Sequence, residues 1–169
     1  MKHLINRGLL LLLAAVLLLT GVACNASTYR ADVASSEITE AAKDAIGLSS
    51  DYFDASAETY DVFFGAEAAF AAVEDCNIVY HVTETNVDQF GVFRVKTGDD
   101  VAAVEAMVQA YVDGQVSYLN SFAAAYNRAE LDKIENAEVS SLGNYVYFTI
   151  LSKEAAAAFT DVLQAAIEK

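Results

Sequence analysis

The chain has no proline and no tryptophan, only two cysteines and two histidines, and 10 basic side chains against 24 acidic ones. The shortage of Lys and Arg excludes a nucleic-acid binder, because phosphate contacts need clustered positive charge. At 169 residues the chain holds one ordinary domain, which excludes a large multidomain enzyme. Two cysteines build no disulfide framework, and a zinc site needs three or four Cys, His or carboxylate ligands, so neither a transition-metal site nor a cofactor is expected. No G-x-S-x-G elbow, Walker loop or dinucleotide fingerprint occurs. The absences remove most recognisable chemistry.

What is present begins at the N-terminus. Lys2 and Arg7 precede an unbroken apolar run from Leu9 to Leu19, the charged n-region and the h-region of a secretory signal. Eleven residues at about 1.5 Å each reach about half of a bilayer's hydrocarbon core, too short to span it. A core helix would interrupt the run with polar positions at helical spacing, whereas leucine here occupies every side. The run ends Leu19-Thr20-Gly21-Val22-Ala23-Cys24, small residues leading into a cysteine, and this resembles the lipobox of bacterial lipoproteins. The resemblance implies cleavage between Ala23 and Cys24 and a lipidated, palmitate-bearing Cys24, with the chain on the extracytoplasmic face of the cell membrane. Two or three acyl chains anchor stably where one holds marginally. Gly21 stands where such motifs usually carry leucine.

Loss of residues 1–23 removes two basic and no acidic side chains, leaving 8 against 24, a formal charge of −16. That charge repels anionic headgroups and wall polymers over a Debye length of about 10 Å. Residues 24–36, rich in Ala and Ser and without apolar periodicity, are expected to form a tether of roughly 20 Å. One domain is then expected over 37–169.

Along that domain, Glu37 to Ile46 reads as a short helix capped by Ser35-Ser36 and closed by Gly47. Residues 48–64 interleave aromatics with acids and read as an irregular segment pinned by aromatic anchors. Ala66 to Val73 reads as a short helix. Cys76 to Val82 and Val87 to Lys96 are β-branched and aromatic around Thr83-Glu84-Thr85-Asn86, a hairpin pattern. Val101, Val104, Val108, Tyr111, Val112, Leu119 and Phe122 form a helical stripe opened by Asp99 and Asp100, with Gly114 as a candidate kink. A second hairpin is expected around Leu142-Gly143, with Val146, Phe148 and Ile150 on one face of its last strand and Tyr145, Tyr147 and Thr149 on the other. Lys153 to Lys169 reads as a helix capped by Ser152. The order α-ββ-α-ββ-α predicts a two-layer α+β domain with an antiparallel sheet of two β-hairpins.

The order of elements, GVFRVK at Gly91 to Lys96, the helix leading to Tyr126 and GNYVYFTIL at Gly143 to Leu151 resemble small bacterial lipoproteins of the domain-of-unknown-function family 4358. The resemblance implies fold and location and brings no catalytic residues. The prolines expected near Tyr126 are missing.

A Cys-His nucleophile pair is the sharpest enzymatic idea, with Cys76 as thiolate and His81 as base. Five positions on one strand separate them by roughly 16 Å with opposite parity, which favours a buried, inert Cys76 and a solvated His81. Asp51 with Asp54, and Asp99 with Asp100, match no calcium loop and read as solvated or helix-dipole acids. Tyr145 and Tyr147, with Tyr52 and Tyr60, form the candidate ligand surface; equally, a helix covering that sheet face gives the same pattern. These readings lead to the expectation of a membrane-anchored, non-catalytic binding or assembly module of the cell envelope, with a protein, peptide or glycan as partner. The alternative is an enzyme or accessory subunit of envelope polymer modification.

Overall fold

A computed structural model of the chain describes residues 28–48, 51–55, 57–81, 83 and 85–169. The expected signal peptide and the lipobox with Ala23 and Cys24 lie outside the described residues.

Alternating apolar side chains and short turns produce two antiparallel hairpins. β2 (Val73–His81) pairs with β3 (Gln89–Val95), and β4 (Glu138–Leu142) pairs with β5 (Tyr145–Ile150). The second turn is closed by Gly143 at φ 59, a left-handed conformation that costs a residue without Cβ little. The hairpins join through β3 and β5, also antiparallel, with Gly91 opposite Phe148. A fifth strand, β1 (Tyr52–Ala55), lies against the outer edge of β2, so the sheet order is β1-β2-β3-β5-β4. The α+β class with an antiparallel sheet is as expected. β1 and the helix α2 (Ala57–Phe64) replace the irregular segment expected over 48–64. Four residues are too few for alternation to show, and pairing with β2 supplies what local propensity does not.

The two-layer arrangement gives way to three layers. On one face, Ile78, Phe93, Val146, Phe148 and Ile150 pack with α2 and with Val104, Val108 and Val112 of α3 (Val101–Ser121). On the other, Val79, Phe90, Val92, Tyr145 and Tyr147 pack with Ile38 and Ala42 of α1 (Ser35–Ile46) and with Phe159, Leu163 and Ile167 of α5 (Lys153–Ile167). Every residue of β5 is buried. A strand apolar on both parities needs cover on both faces.

The start of the domain differs from expectation. The N-cap of α1 is Ala34, without a side-chain cap; the Ser35 N–H instead donates to Asp75 Oδ1 on β2 at 2.9 Å. Asp75 in turn accepts from Arg94 Nε at 2.6 Å, so a paired carboxylate from the sheet takes the place of the expected Ser35-Ser36 cap. Upstream, Tyr29 bridges Glu168 and the Arg30 N–H donates to the Ile167 carbonyl at 2.7 Å. Val33 is buried, and its N–H and carbonyl both meet the Tyr145 hydroxyl at 3.0 Å. Of the tether expected over 24–36, the residues from Tyr29 onward belong to the domain; residues 24–27 lie outside the described residues. A buried tyrosine hydroxyl needs partners, and the segment that supplies them carries no periodicity.

α3 runs through Gly114 without interruption. A 3₁₀ turn at Ala123–Ala125 leads to α4 (Arg128–Glu135), a helix absent from the expected order although its capping signal is in the sequence. The side chain of Asn127 accepts from the Glu130 N–H at 3.1 Å, the N-cap-to-N3 spacing of a helix start. α5 begins as expected, Ser152 Oγ accepting from the Ala155 N–H at 3.2 Å.

The sheet has two distinct ends. Tyr29 lies against Gly143 at the β4-β5 turn. β3 runs from Gln89, beside Ile150 at the far end, to Arg94 beside Tyr145 near that turn.

Candidate functional site

At the far end, three elements splay apart around a cleft of about 650 Å³. β2 contributes Ile78 and Tyr80, α2 contributes Tyr60 and Phe63, and Thr83 with residues 85–89 closes one side. From α3 come Tyr111, Gln115, Tyr118 and Phe122, spaced four, three and four apart and hence on one helical stripe. The stripe that packs the core near the start of α3 lines a cavity at its end.

Exposure separates rim from floor. Phe63 is 59%, Tyr118 62% and Phe122 49% exposed, and Tyr118 and Phe122 pair edge to face at 5.1 Å. Phe122, expected on the core face, thus belongs to the rim. At the floor, the Tyr60 hydroxyl donates to the Ala55 carbonyl and accepts from the Ile78 N–H, tying α2 to β1 and β2. The Tyr111 hydroxyl accepts from Gln89 Nε2 at 2.7 Å. Burial holds the phenols of Tyr60 and Tyr111 neutral, raising Tyr60 well above its ordinary value and Tyr111 to about 12.

One wall is a buried ion cluster. Lys133 on α4 reaches Asp88 at 2.7 Å and Glu130 at 2.9 Å, all three side chains being no more than 13% exposed. Tyr52 donates to Asp88 at 2.6 Å, and the Val87 N–H donates to Glu130 at 2.9 Å. Burial lowers the Lys133 pKa, but the hydrogen bonds to Asp88 and Glu130 outweigh it and the net shift is upward. Each charge is partnered, so the cluster fastens the hairpin turn to α4 and leaves no free acid or base.

The four tyrosines of the candidate ligand surface do not meet. Tyr145 and Tyr147 are buried, Tyr147 against Phe159 of α5 at 5.7 Å; the covering-helix reading holds for both. Tyr52 sits on Asp88, its ring edge-on to His81 at 4.8 Å. Of the four, Tyr60 alone lines the cleft. Sequence reasoning missed Tyr111 and Tyr118 as site residues; their shared stripe with Phe122 was the available signal, but it reads as core until the sheet is seen to end beneath it.

Cys76 is buried and its thiol is pushed up to about 12 by desolvation, which keeps it unreactive. His81 does not serve it: Nδ1 accepts from the Thr83 N–H at 3.1 Å and lies 2.8 Å from the Thr83 hydroxyl. Asn77, on the same strand face as His81, is covered by α1: its Nδ2 donates to Thr39 Oγ1 at 2.5 Å and to Asp54 Oδ1 at 3.2 Å. Asp54 also pairs with Lys43, and Asp100 accepts from the Thr97 hydroxyl at 2.8 Å. Among the described residues no group of three His, Cys, Asp or Glu side chains is placed to hold a metal ion.

The tyrosine environments predict the alkaline behaviour. Tyr52, Tyr60, Tyr111 and Tyr145 all have raised values, with burial as the leading cause. A raised folded-state value means stability that is complete below about pH 10, the unfolded phenol value, and is lost as pH rises towards the folded one. Absorbance titration is expected to show a delayed class, these four tyrosines, whose ionisation accompanies unfolding. Smooth ionisation of all nine tyrosines near pH 10 in folded protein contradicts this.

The fold and cleft define a small antiparallel-sheet domain, helices on both faces, with an aromatic recess at one sheet end. Residues 69–151 match the family model described as Domain of unknown function (DUF4358), the family that the strand and turn motifs resembled. The matched segment contains β2 to β5, α3 and α4, and most of the cleft; Tyr60 and Phe63 are contributed from outside it. No curated protein and no solved structure matches the chain.

Proposed function

We propose that this chain is a lipid-anchored, extracytoplasmic binding module of the bacterial cell envelope that captures its ligand in the aromatic cleft without chemistry. The observation that carries the binding reading is the open recess of about 650 Å³ rimmed by Phe63, Tyr118 and Phe122. Recesses of this size, apolar with a few converging polar groups, are the usual form of a small-ligand site. Solvent-facing aromatic rings in a soluble domain are contact surfaces in waiting. The ionised groups in its wall are paired with one another, and Cys76 is buried away from His81.

The anchoring reading rests on the Leu19 to Cys24 motif. Four residues lie between Cys24 and Tyr29, the first described residue to touch the sheet, and the five steps reach at most about 18 Å. The cleft opens at the opposite end of the strands, and the seven residues of β3 span about 20 Å between the two ends. An anchor at Cys24 therefore holds the Gly143 end towards the membrane and presents the cleft outward, beyond the lipid.

Two experiments test the two halves. Cys24→Ala is expected to abolish incorporation of labelled palmitate and release the protein from the membrane fraction; retained label overturns the anchor. A thermal-shift panel of neutral oligosaccharides, anionic glycerol-phosphate polymer and apolar peptides is expected to raise the melting temperature with one class. No shift with any class, in protein whose melting is otherwise cooperative, overturns the binding module.

A further inference from the structure

We infer that the cleft takes an uncharged oligosaccharide, its sugar rings stacked on Phe63, Tyr118 and Phe122. This rests on the binding-module reading and names the ligand class for the same site.

Charge decides the first step. Among the described residues no Lys or Arg lines the cleft, and the chain carries a formal −14. The one acid among its described lining residues, Asp88, is already held by Lys133 and Tyr52. A phosphate or carboxylate polymer finds no counter-charge there and enters against the field of the whole domain. Among the described residues the wall offers no free carboxylate to a cationic ligand either.

Polar chemistry decides the second. The hydroxyls of Tyr80 and Tyr118 and the carboxamide of Gln115, all lining the cleft, have no hydrogen-bond partner among the described residues. The Tyr111 hydroxyl accepts from Gln89, and its own proton remains to be donated. These neutral donors and acceptors lie among exposed ring faces. An apolar peptide side chain covers the rings but leaves the hydroxyls and amide dry and unpaired, a cost comparable to losing a hydrogen bond each. A pyranose presents a C–H face to stack on an aromatic ring and a hydroxyl edge that donates and accepts, so it satisfies both sets at once. Lipid acyl chains fail the same polar test.

The test is isothermal titration and amide-resonance perturbation of the whole soluble chain, lacking residues 1–23 and with Cys24→Ser, using cellotriose, maltotriose and chitotriose as probes. At least one is expected to bind, with shifts clustered on Tyr80, Tyr111, Tyr118 and Phe122. Tyr118→Ala and Phe122→Ala truncate exposed rings and leave the fold intact by circular dichroism; each is expected to weaken binding about tenfold or more, the loss typical of an aromatic anchor. Gln115→Glu adds a charge without removing a ring and is expected to weaken it as well. Binding of apolar peptide or glycerol-phosphate polymer with none of the three sugars overturns the oligosaccharide assignment and keeps the binding module. Binding of a sugar that is indifferent to both ring variants overturns the stacking geometry. No binding of any probe overturns this inference together with the reading beneath it.

Discussion

Lys133→Met is expected to destabilise the domain by about 3–5 kcal/mol, the usual cost of removing one partner from a buried ion pair. The cause is less the lost attraction than what stays behind. Asp88 and Glu130 are each almost buried against the Lys133 ammonium, and without it two carboxylates face one another in a poorly solvated wall. They keep only the Tyr52 hydroxyl and the Val87 N–H as donors. Urea unfolding measures the loss, with the exposed Lys153→Met as a control expected to stay within about 0.5 kcal/mol. A Lys133 variant that loses less than the control range shows that the cluster is solvated and contributes nothing. Because these groups clamp the turn that closes the cleft, Lys133→Met is also expected to speed amide exchange through 85–88 ahead of the β5 core.

Gly91→Ala is expected to cost about 2 kcal/mol, within the range for overpacking a filled core. A Cβ at this position stands 2.6 Å from Phe148 Cε1, 2.9 Å from Ile78 Cγ1 and 3.2 Å from the Asn77 carbonyl oxygen. Phe148 and Ile78 are buried, and the Phe148 ring is also packed at 5.6 Å against Tyr111, so it has little room to withdraw. Restricting the unfolded chain returns somewhat less than about 1 kcal/mol. Gly91→Val is expected to cost more still. Gly114→Ala gives the opposite sign: nothing lies within 4 Å of its Cβ, and an exposed helix interior gains about 0.5–1 kcal/mol from Ala over Gly. Thermal and urea melts of the three variants check both directions. Partial recovery of Gly91→Ala by Phe148→Leu ties the loss to that ring, whereas an unchanged Gly91→Ala refutes the packing argument.

Legibility along the chain follows the range of the interactions. Both hairpins, α3 and α5 were readable because alternation, helical stripes, the Gly143 turn and the Ser152 cap are properties of neighbouring residues. α4 was missed: Asn127 and Glu130 carry its capping signal, but eight residues with a low apolar content give the stripe little to show. β1 and α2 were not readable. Their residues look irregular alone and gain order from the edge of β2 and from the Tyr60 hydroxyl reaching Ala55 and Ile78. The stretch before Ser35 was misread as tether for the same reason, its anchor being Tyr145, 112 positions away.

The candidate site divides in the same manner. That Tyr145 and Tyr147 share a face with each other follows from strand parity; that α5 covers them does not. Phe122 belongs to an apolar helical stripe by spacing, and its place at a cleft rim is set by where the sheet ends.

By itself, then, the sequence determined the antiparallel α+β class, the acid excess, the lack of a familiar catalytic motif and the motif at Cys24. Local pattern and charge count suffice for these, because each depends on residues within a turn or two or on the composition as a whole. The tertiary structure alone decided that both sheet faces are covered, that Lys133 joins Asp88 from 45 positions away, and that Tyr80, Tyr111, Tyr118 and Phe122 converge on one recess. Convergence of that kind depends on which faces run out of partners once the core is closed, and no window of the chain contains that information.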